Sequence, residues 1–270
     1  MKGAKAAFSA PACSLWPYKF VSQLLARLVG KALVNVQTNT PVTKITHGVA
    51  GRNVIHTPRG ILNAGKVIFA TNGYTPGLCP QYTDIIVPVK GTASHISPTH
   101  GIVSPHLSNT YNISYPPGPG HTDYLNPRPD GGIVVGGGNW TYAQNRSHWY
   151  GNYDDSTLIP GTRHYFDGLM QRNFKGWEDS GAKVDSIWTG IQGYTADENP
   201  HVGEVPGSEG GQYIIAGFNG GGMAQIFLCA KGLAKMVGED LPYAQTGIPR
   251  SFEATRERLE RRSGRSVVNE

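Results

Sequence analysis

Cysteine is scarce in this chain of 270 residues, with only Cys13, Cys79 and Cys229, and none of them forms a CxxC pair. That argues against a zinc knuckle or a redox dithiol and leaves no framework for disulfides. A reducing compartment, the cytoplasm, is therefore expected. Long apolar runs are also missing. No stretch approaches the ~20 apolar residues of a membrane span. The first twenty residues, MKGAKAAFSAPACSLWPYKF, hold no apolar core of signal-peptide length. Charge is sparse, at 16% of residues. No G-x-G-x-x-G follows a strand near the start, so the usual cradle for a dinucleotide's diphosphate is not readable. Gly136-Gly137-Gly138 leads into Asn139-Trp140 and opens no such helix. Metal ligation is not expected, because His95, His100 and His106 sit in a Pro/Ser-rich loop without helical i, i+4 spacing.

Glycine (36) and proline (19) are abundant, which predicts many turns and short strands rather than a helical bundle. The net charge of +5 owes much to the run 250–265, where six arginines alternate with Glu253, Glu257 and Glu260. Mixed signs at helical spacing read as a solvated helix, not a nucleic-acid stripe. Trp16-Pro17 opens a helix whose apolar stripe is Val21, Leu24, Leu25 and Leu28, ending near Gly30. Short strands are predicted at 34–38, 42–45, 53–57, 61–62 and 66–70, a meander leading into a core strand. Ile85–Gly91 enters a β-rich and proline-rich region that continues to about Val184. There, Pro129-Asp130-Gly131-Gly132 joins two apolar runs as a hairpin. Leu158–Phe174 reads as a helix, and Val184–Ile191 as a returning strand.

The most informative stretch follows. TADENPHVGEVPG precedes the strand Tyr213–Ala216, then GFNGGG, then a helix carrying Met223, Ile226, Phe227, Ala230, Ala234 and Val237 on one face. Such a strand–glycine–helix junction lets a ligand approach the backbone and meet the positive end of the helix dipole.

The block Asp197-Glu198-Asn199-Pro200-His201-Val202-Gly203 with the glycine turn ending in Gly222-Met223 resembles the FAD-dependent D-amino-acid oxidase family, which contains glycine oxidase and sarcosine oxidase. NVQTNTPVTKI, KVIFATNGYTPGL and the hairpin YLNPRPDGGIVVGG are similar to the same family. The resemblance implies an α/β (mixed α+β) fold: a truncated Rossmann-like FAD-binding domain, 1–75 and 186–250, with an inserted β-rich substrate domain, 76–185, and a basic C-terminal helix or tail, 251–270. The strand Tyr213–Ala216 should then run parallel to Val67–Ala70, Gly217 should end it, and Gly222 should start the helix. The resemblance also implies FAD contacts at Val42, at Ala70, Thr71, Asn72 and Gly73, and at Gly217, Asn219, Gly220, Gly221, Gly222 and Met223. For the substrate it implies Tyr124, Arg128, Trp140 and Gln192. Gly190 stands where some members carry a flavin-tethering cysteine, so FAD would be held non-covalently. Without the G-x-G-x-x-G unit, FAD binding should be weak.

Three readings stay open. The chain is a piece of a flavin oxidoreductase that oxidises the C–N bond of a small amine or amino acid, with an N-terminal half or a second copy as partner. Otherwise it is a shortened homologue without flavin that does non-redox chemistry on, or binds, a small molecule, or it is a scaffold or interaction protein without ligand.

Overall fold

The computed structural model describes residues 1–101, 105–118, 120–208 and 210–260. It divides into two compact units. One comprises Met1–Asn39, Gly91–Arg146 and Ser156–Thr189; the other comprises Thr40–Lys90, Ser147–Asp155 and the chain from Gly190 onward.

The first unit holds helix α1 (Pro17–Gly30) and most of a five-stranded sheet in the order β6-β7-β8-β5-β9, antiparallel from β6 through to β5. Its strands are β5 (Val87–Ser97), β6 (Tyr111–Ser114), β7 (Thr122–Pro127), β8 (Ile133–Gly136) and β9 (Lys183–Tyr194). The Pro-Asp-Gly hairpin is as expected, with Pro127 opposite Ile133 and Tyr124 opposite Gly136. Alternate residues of these strands, Ile96, Ile113, Leu125, Ile133 and Val135, pack on Phe166, Leu169, Met170, Phe174 and Trp177.

The expected helix over 158–174 shrinks to α2 (Leu169–Asn173). Pro160 and the left-handed Gly161 and Gly168 (φ 91° and 63°) break it. Its apolar residues are still buried, so the periodicity reported burial and not helix.

α1 forms as predicted, with proline in its first turn. Its apolar stripe is not buried, however: Val21, Leu24 and Leu25 are exposed. The predicted strand at 34–38 is absent as well. Val34 and Val36 stay exposed, and β-propensity makes no strand without a ladder partner. Residues 1–39 were grouped with the nucleotide domain in the expected division, but they belong here with the β-rich unit. Lys2 anchors them, with its N–H on the Asn173 carbonyl (2.7 Å) and its ammonium on Glu178 (2.7 Å).

The second unit contains β1 (Lys44–His47), β2 (Asn53–Thr57) and β3 (Gly60–Ala64), an antiparallel meander. Beside it stands a second three-stranded sheet, β10-β11-β4. It is made of β4 (Val67–Phe69), β10 (His201–Glu204) and β11 (Gln212–Ala216). β11 runs parallel to β4, with Ile214 opposite Phe69. Helix α3 (Gly222–Glu239) follows the glycine turn, and α4 (Arg256–Glu260) closes the described chain.

The buried face of α3 is not the predicted one. Cys229 and Leu233 enter a core with Val202, Phe218 and Tyr243, whereas Met223 (63%) and Phe227 (65%) are exposed. Residues 251–260 are no solvated tail either: Phe252, Ala254 and Leu259 pack on the sheet. The rest of the run 261–270 lies outside the described residues.

Candidate functional site

The site grows from two turns at the same ends of parallel strands. β4 leaves into Ala70-Thr71-Asn72, with Asn72 left-handed (φ 44°). β11 leaves into Gly217 (φ 79°), Phe218 and Asn219 (φ 53°). Asparagine and glycine are the residue types that tolerate this backbone. The Asn72 Oδ1 accepts hydrogen bonds from the N–H of Gly217 (2.9 Å) and of Phe218 (3.2 Å), clasping the two turns together. A third segment, the end of β9, completes the knot. The Asn219 N–H donates to the Gly193 carbonyl (2.8 Å), and its Oδ1 accepts from the Thr195 N–H (2.9 Å). A β-carbon on Gly73 would lie 2.7 Å from the Gln192 carbonyl oxygen, so only glycine permits this crossing. Thr195 and Gly193 were missed in the sequence. The only signal was their place just before the Asp197 block.

α3 begins at this knot. Its N-cap is Gly221, with no side-chain cap and no acidic residue in the first turn. The first N–H groups of a helix have no partner within it and carry its positive pole. Gly220 and Gly221 leave open space: a β-carbon would come no nearer than 3.5 Å to the Tyr194 hydroxyl and 3.9 Å to Gln225 Nε2. An uncapped helix N-terminus behind a bare glycine turn suits an electron-rich ring edge or anion. The predicted cofactor residues Ala70–Gly73, Gly217 and Asn219–Met223 are thus brought together. Val42 takes no part in the hydrogen bonds of the clasp and is half-buried just before β1 in the same unit.

The Asp197 block is held from behind by Arg258, whose side chain is only 10% exposed. Its guanidinium grips Asp197 with two prongs (2.8 and 3.0 Å) and donates to the carbonyls of Asn199, Pro200 and Glu253. Burial works to raise the Asp197 pKa, but the Arg258 bonds outweigh it and hold that pKa below the usual value. His201, inside the block, is fully buried edge-on to Tyr82 (5.3 Å between ring centres). Burial, aided by the Arg258 charge, depresses its pKa to about 3, so it is neutral.

The residues expected to meet substrate divide between the units. Gln192 lies in the unit of the clasp and is half-buried. Tyr124, Arg128 and Trp140 lie in the β-rich unit. The Arg128 guanidinium rests 3.9 Å from the Trp16 ring centre and is paired with Asp130 of its own turn. Trp140 packs edge-on to Tyr165 (5.4 Å between centres) and next to Tyr115 and His121. Beneath them Asp123, missed in the sequence, is fully buried. It accepts from the Tyr165 hydroxyl (2.8 Å) and the Gly138 N–H (2.9 Å), and burial raises its pKa. The left-handed Gly138 beside it was the available signal.

Residues 3–236 match the family described as DAO, FAD dependent oxidoreductase. The chain belongs to that family. Known folds agree. Glycine oxidase from Geobacillus kaustophilus superposes with a TM-score of 0.63 at 20% identity, over 87% of this chain and 57% of that one. L-proline dehydrogenase from P. horikoshii gives 0.60 at 20% identity, over 88% and 59%. The Aspergillus fumigatus fructosyl amine: oxygen oxidoreductase gives 0.59 at 13%, over 84% and 51%. This DAO-family chain therefore spans rather more than half the length of the solved structures it resembles. No curated protein sequence matches it. The family's members depend on FAD, and no helix among the described residues is long and apolar enough to cross a membrane.

Proposed function

We propose that this chain supplies the isoalloxazine-facing turns and the substrate sheet of an FAD-dependent oxidoreductase acting on the C–N bond of a small amine or amino acid. One observation carries the reading. The Asn72 clasp aligns two glycine-bearing turns and presents an uncapped helix N-terminus through Gly220–Met223. These residues, with Ala70–Gly73 and Val42, would hold FAD non-covalently. When bound, FAD supplies the electron sink for amine oxidation. The chain's own contribution is electrostatic and positional. The N-terminus of α3 would stabilise negative charge that develops on the bound group, and the Asn72 clasp ties the turn that leads into it.

Two features support a need for further protein before FAD is held firmly. The sequence has no G-x-G-x-x-G turn. The apolar residues Ile68 of β4 and Met223, Ile226 and Phe227 of α3 are uncovered. A strand–helix unit docking on this side, or a second copy of the chain, is the proposed partner.

The test is flavin absorbance after gel filtration of the chain mixed with FAD. Weak, readily lost flavin is expected, and Asn72→Ala should abolish what remains. Flavin binding that is indifferent to Asn72 would overturn the assignment of the clasp.

A further inference from the structure

The sequence contains two Asn-Gly steps, Asn72-Gly73 and Asn219-Gly220. Both asparagines belong to the clasp. Asparagine is thermolabile, and a following glycine has no side chain to shield its own backbone nitrogen. The two steps sit in different surroundings. Gly73 is buried, and a β-carbon there would lie 2.7 Å from the Gln192 carbonyl oxygen and 2.9 Å from Ile191 Cγ2. Gly220 is exposed, and nothing stands nearer to its β-carbon position than the Tyr194 hydroxyl at 3.5 Å. Its N–H makes no protein hydrogen bond among the described residues. The Asn219 amide, in contrast, is tied three ways. Its Oδ1 accepts from the Thr195 N–H (2.9 Å), and its Nδ2 donates to the Gly217 carbonyl (2.9 Å) and the Thr195 hydroxyl (3.3 Å).

We propose that Asn219 is a self-modifying site: when the glycine turn opens, the Gly220 nitrogen attacks Asn219 Cγ. The Cγ–Nδ2 bond breaks, ammonia leaves, and a cyclic imide remains. Water then opens the imide to aspartate or isoaspartate. No other reactant is needed. Closure of the turn opposes the reaction, because the three hydrogen bonds must break before the amide can meet Gly220. Such opening is local, at a turn with solvent on one side, and does not wait for global unfolding. The product cannot close the knot as before. A carboxylate has no N–H to donate, and its oxygen would meet the Gly217 carbonyl where Nδ2 lay 2.9 Å away. The pole of α3 favours a negative charge, but losing a satisfied donor and setting two acceptors face to face costs more. Asn72 differs in kind. Its Oδ1 is what the clasp uses, and an acid keeps that acceptor. The Asn219 amide thus records how often the knot opens, and its loss holds the knot open.

Peptide mapping by mass spectrometry tests it, on the whole chain stored in mildly alkaline buffer. The peptide holding Asn219 should gain the acid well ahead of the peptide holding Asn72, and in urea the two should react alike. Thr195→Val removes one acceptor of Nδ2 and should speed the loss at Asn219 roughly two- to tenfold, the weight of one hydrogen bond. Gly220→Ala shields the attacking nitrogen at a place with room for the methyl group, so it should fold as before and keep the Asn219 amide. The melting temperature is a second readout. It should fall during storage of the unaltered chain, hold steady in Gly220→Ala, and start low in Asn219→Asp. The proposal is overturned if the two asparagines react alike in the folded chain, or if the folded chain keeps its Asn219 amide while the unfolded chain loses it. It is equally overturned if Gly220→Ala loses the amide as fast, if Thr195→Val does not hasten the loss, or if Asn219→Asp melts with the unaltered chain. None of these readouts depends on bound flavin, so they stand apart from the test of the proposed function.

Discussion

One amide oxygen of Asn72 satisfies two backbone donors on a distant turn. Asn72→Ala leaves both without that acceptor, and losing a buried partner costs about 1–3 kcal/mol per group. The expected loss is about 2–3 kcal/mol by urea denaturation, and Asn72→Asp, which keeps the acceptor, should lose less. His201 gives a pH signature. Its folded pKa, about 3, lies below the 6.5 of the free side chain, so below about pH 6.5 the unfolded chain takes up the proton first. Stability is therefore full above that value and falls as the pH drops towards the folded pKa, by up to about 1.4 kcal/mol per unit. Replacing His201 by Phe should flatten the dependence of melting temperature on pH between neutrality and about pH 5. An equally steep slope in the variant would remove His201 as its source.

At the scale of elements, the readable features were those fixed by local chemistry. The hairpin was legible because Pro-Asp-Gly dictates its turn, and α3 because a glycine run ends where helical spacing begins. The parallel pairing of β4 with β11 could not be read from either strand alone; it came with the resemblance. Helix faces failed for a clear reason. Apolar residues on α1 and α3 mark surfaces suited to burial, and periodicity does not say whether a partner surface is present. The Arg258 staple escaped because a basic run with interspersed glutamates looks solvated, and nothing local shows that Asp197 waits 61 residues away. Arg258→Met should free α4 and the Asp197 block, with a loss of about 2–3 kcal/mol, given ~1.5–3 kcal/mol for a hydrogen bond to a charged group. Arg258→Lys should recover little of it, because an ammonium cannot span the two carboxylate oxygens and three carbonyls at once. Thermal melting of the two variants side by side decides it.

For the whole molecule, uncovered apolar surface sets the behaviour. A fully buried large aliphatic or aromatic side chain is worth roughly 1.5–3 kcal/mol, against total stabilities of ~5–15 kcal/mol. With Ile68, Met223, Ile226 and Phe227 exposed, the chain alone should self-associate or melt early. Ile226→Lys combined with Phe227→Glu should make it monodisperse by light scattering, and a chain already monodisperse and sharply melting would contradict this. The clasp also sets a timetable for synthesis. Asn72 and Gly217 are 145 residues apart, and ribosomes add about 5–20 residues per second. The first half of the knot therefore emerges roughly 7–30 seconds before the second. During that interval β4 has no parallel neighbour and the Asn72 amide has nothing to hold. Slowing translation between the two turns should lengthen this exposure and lower the soluble yield, read by fractionating the expressed chain.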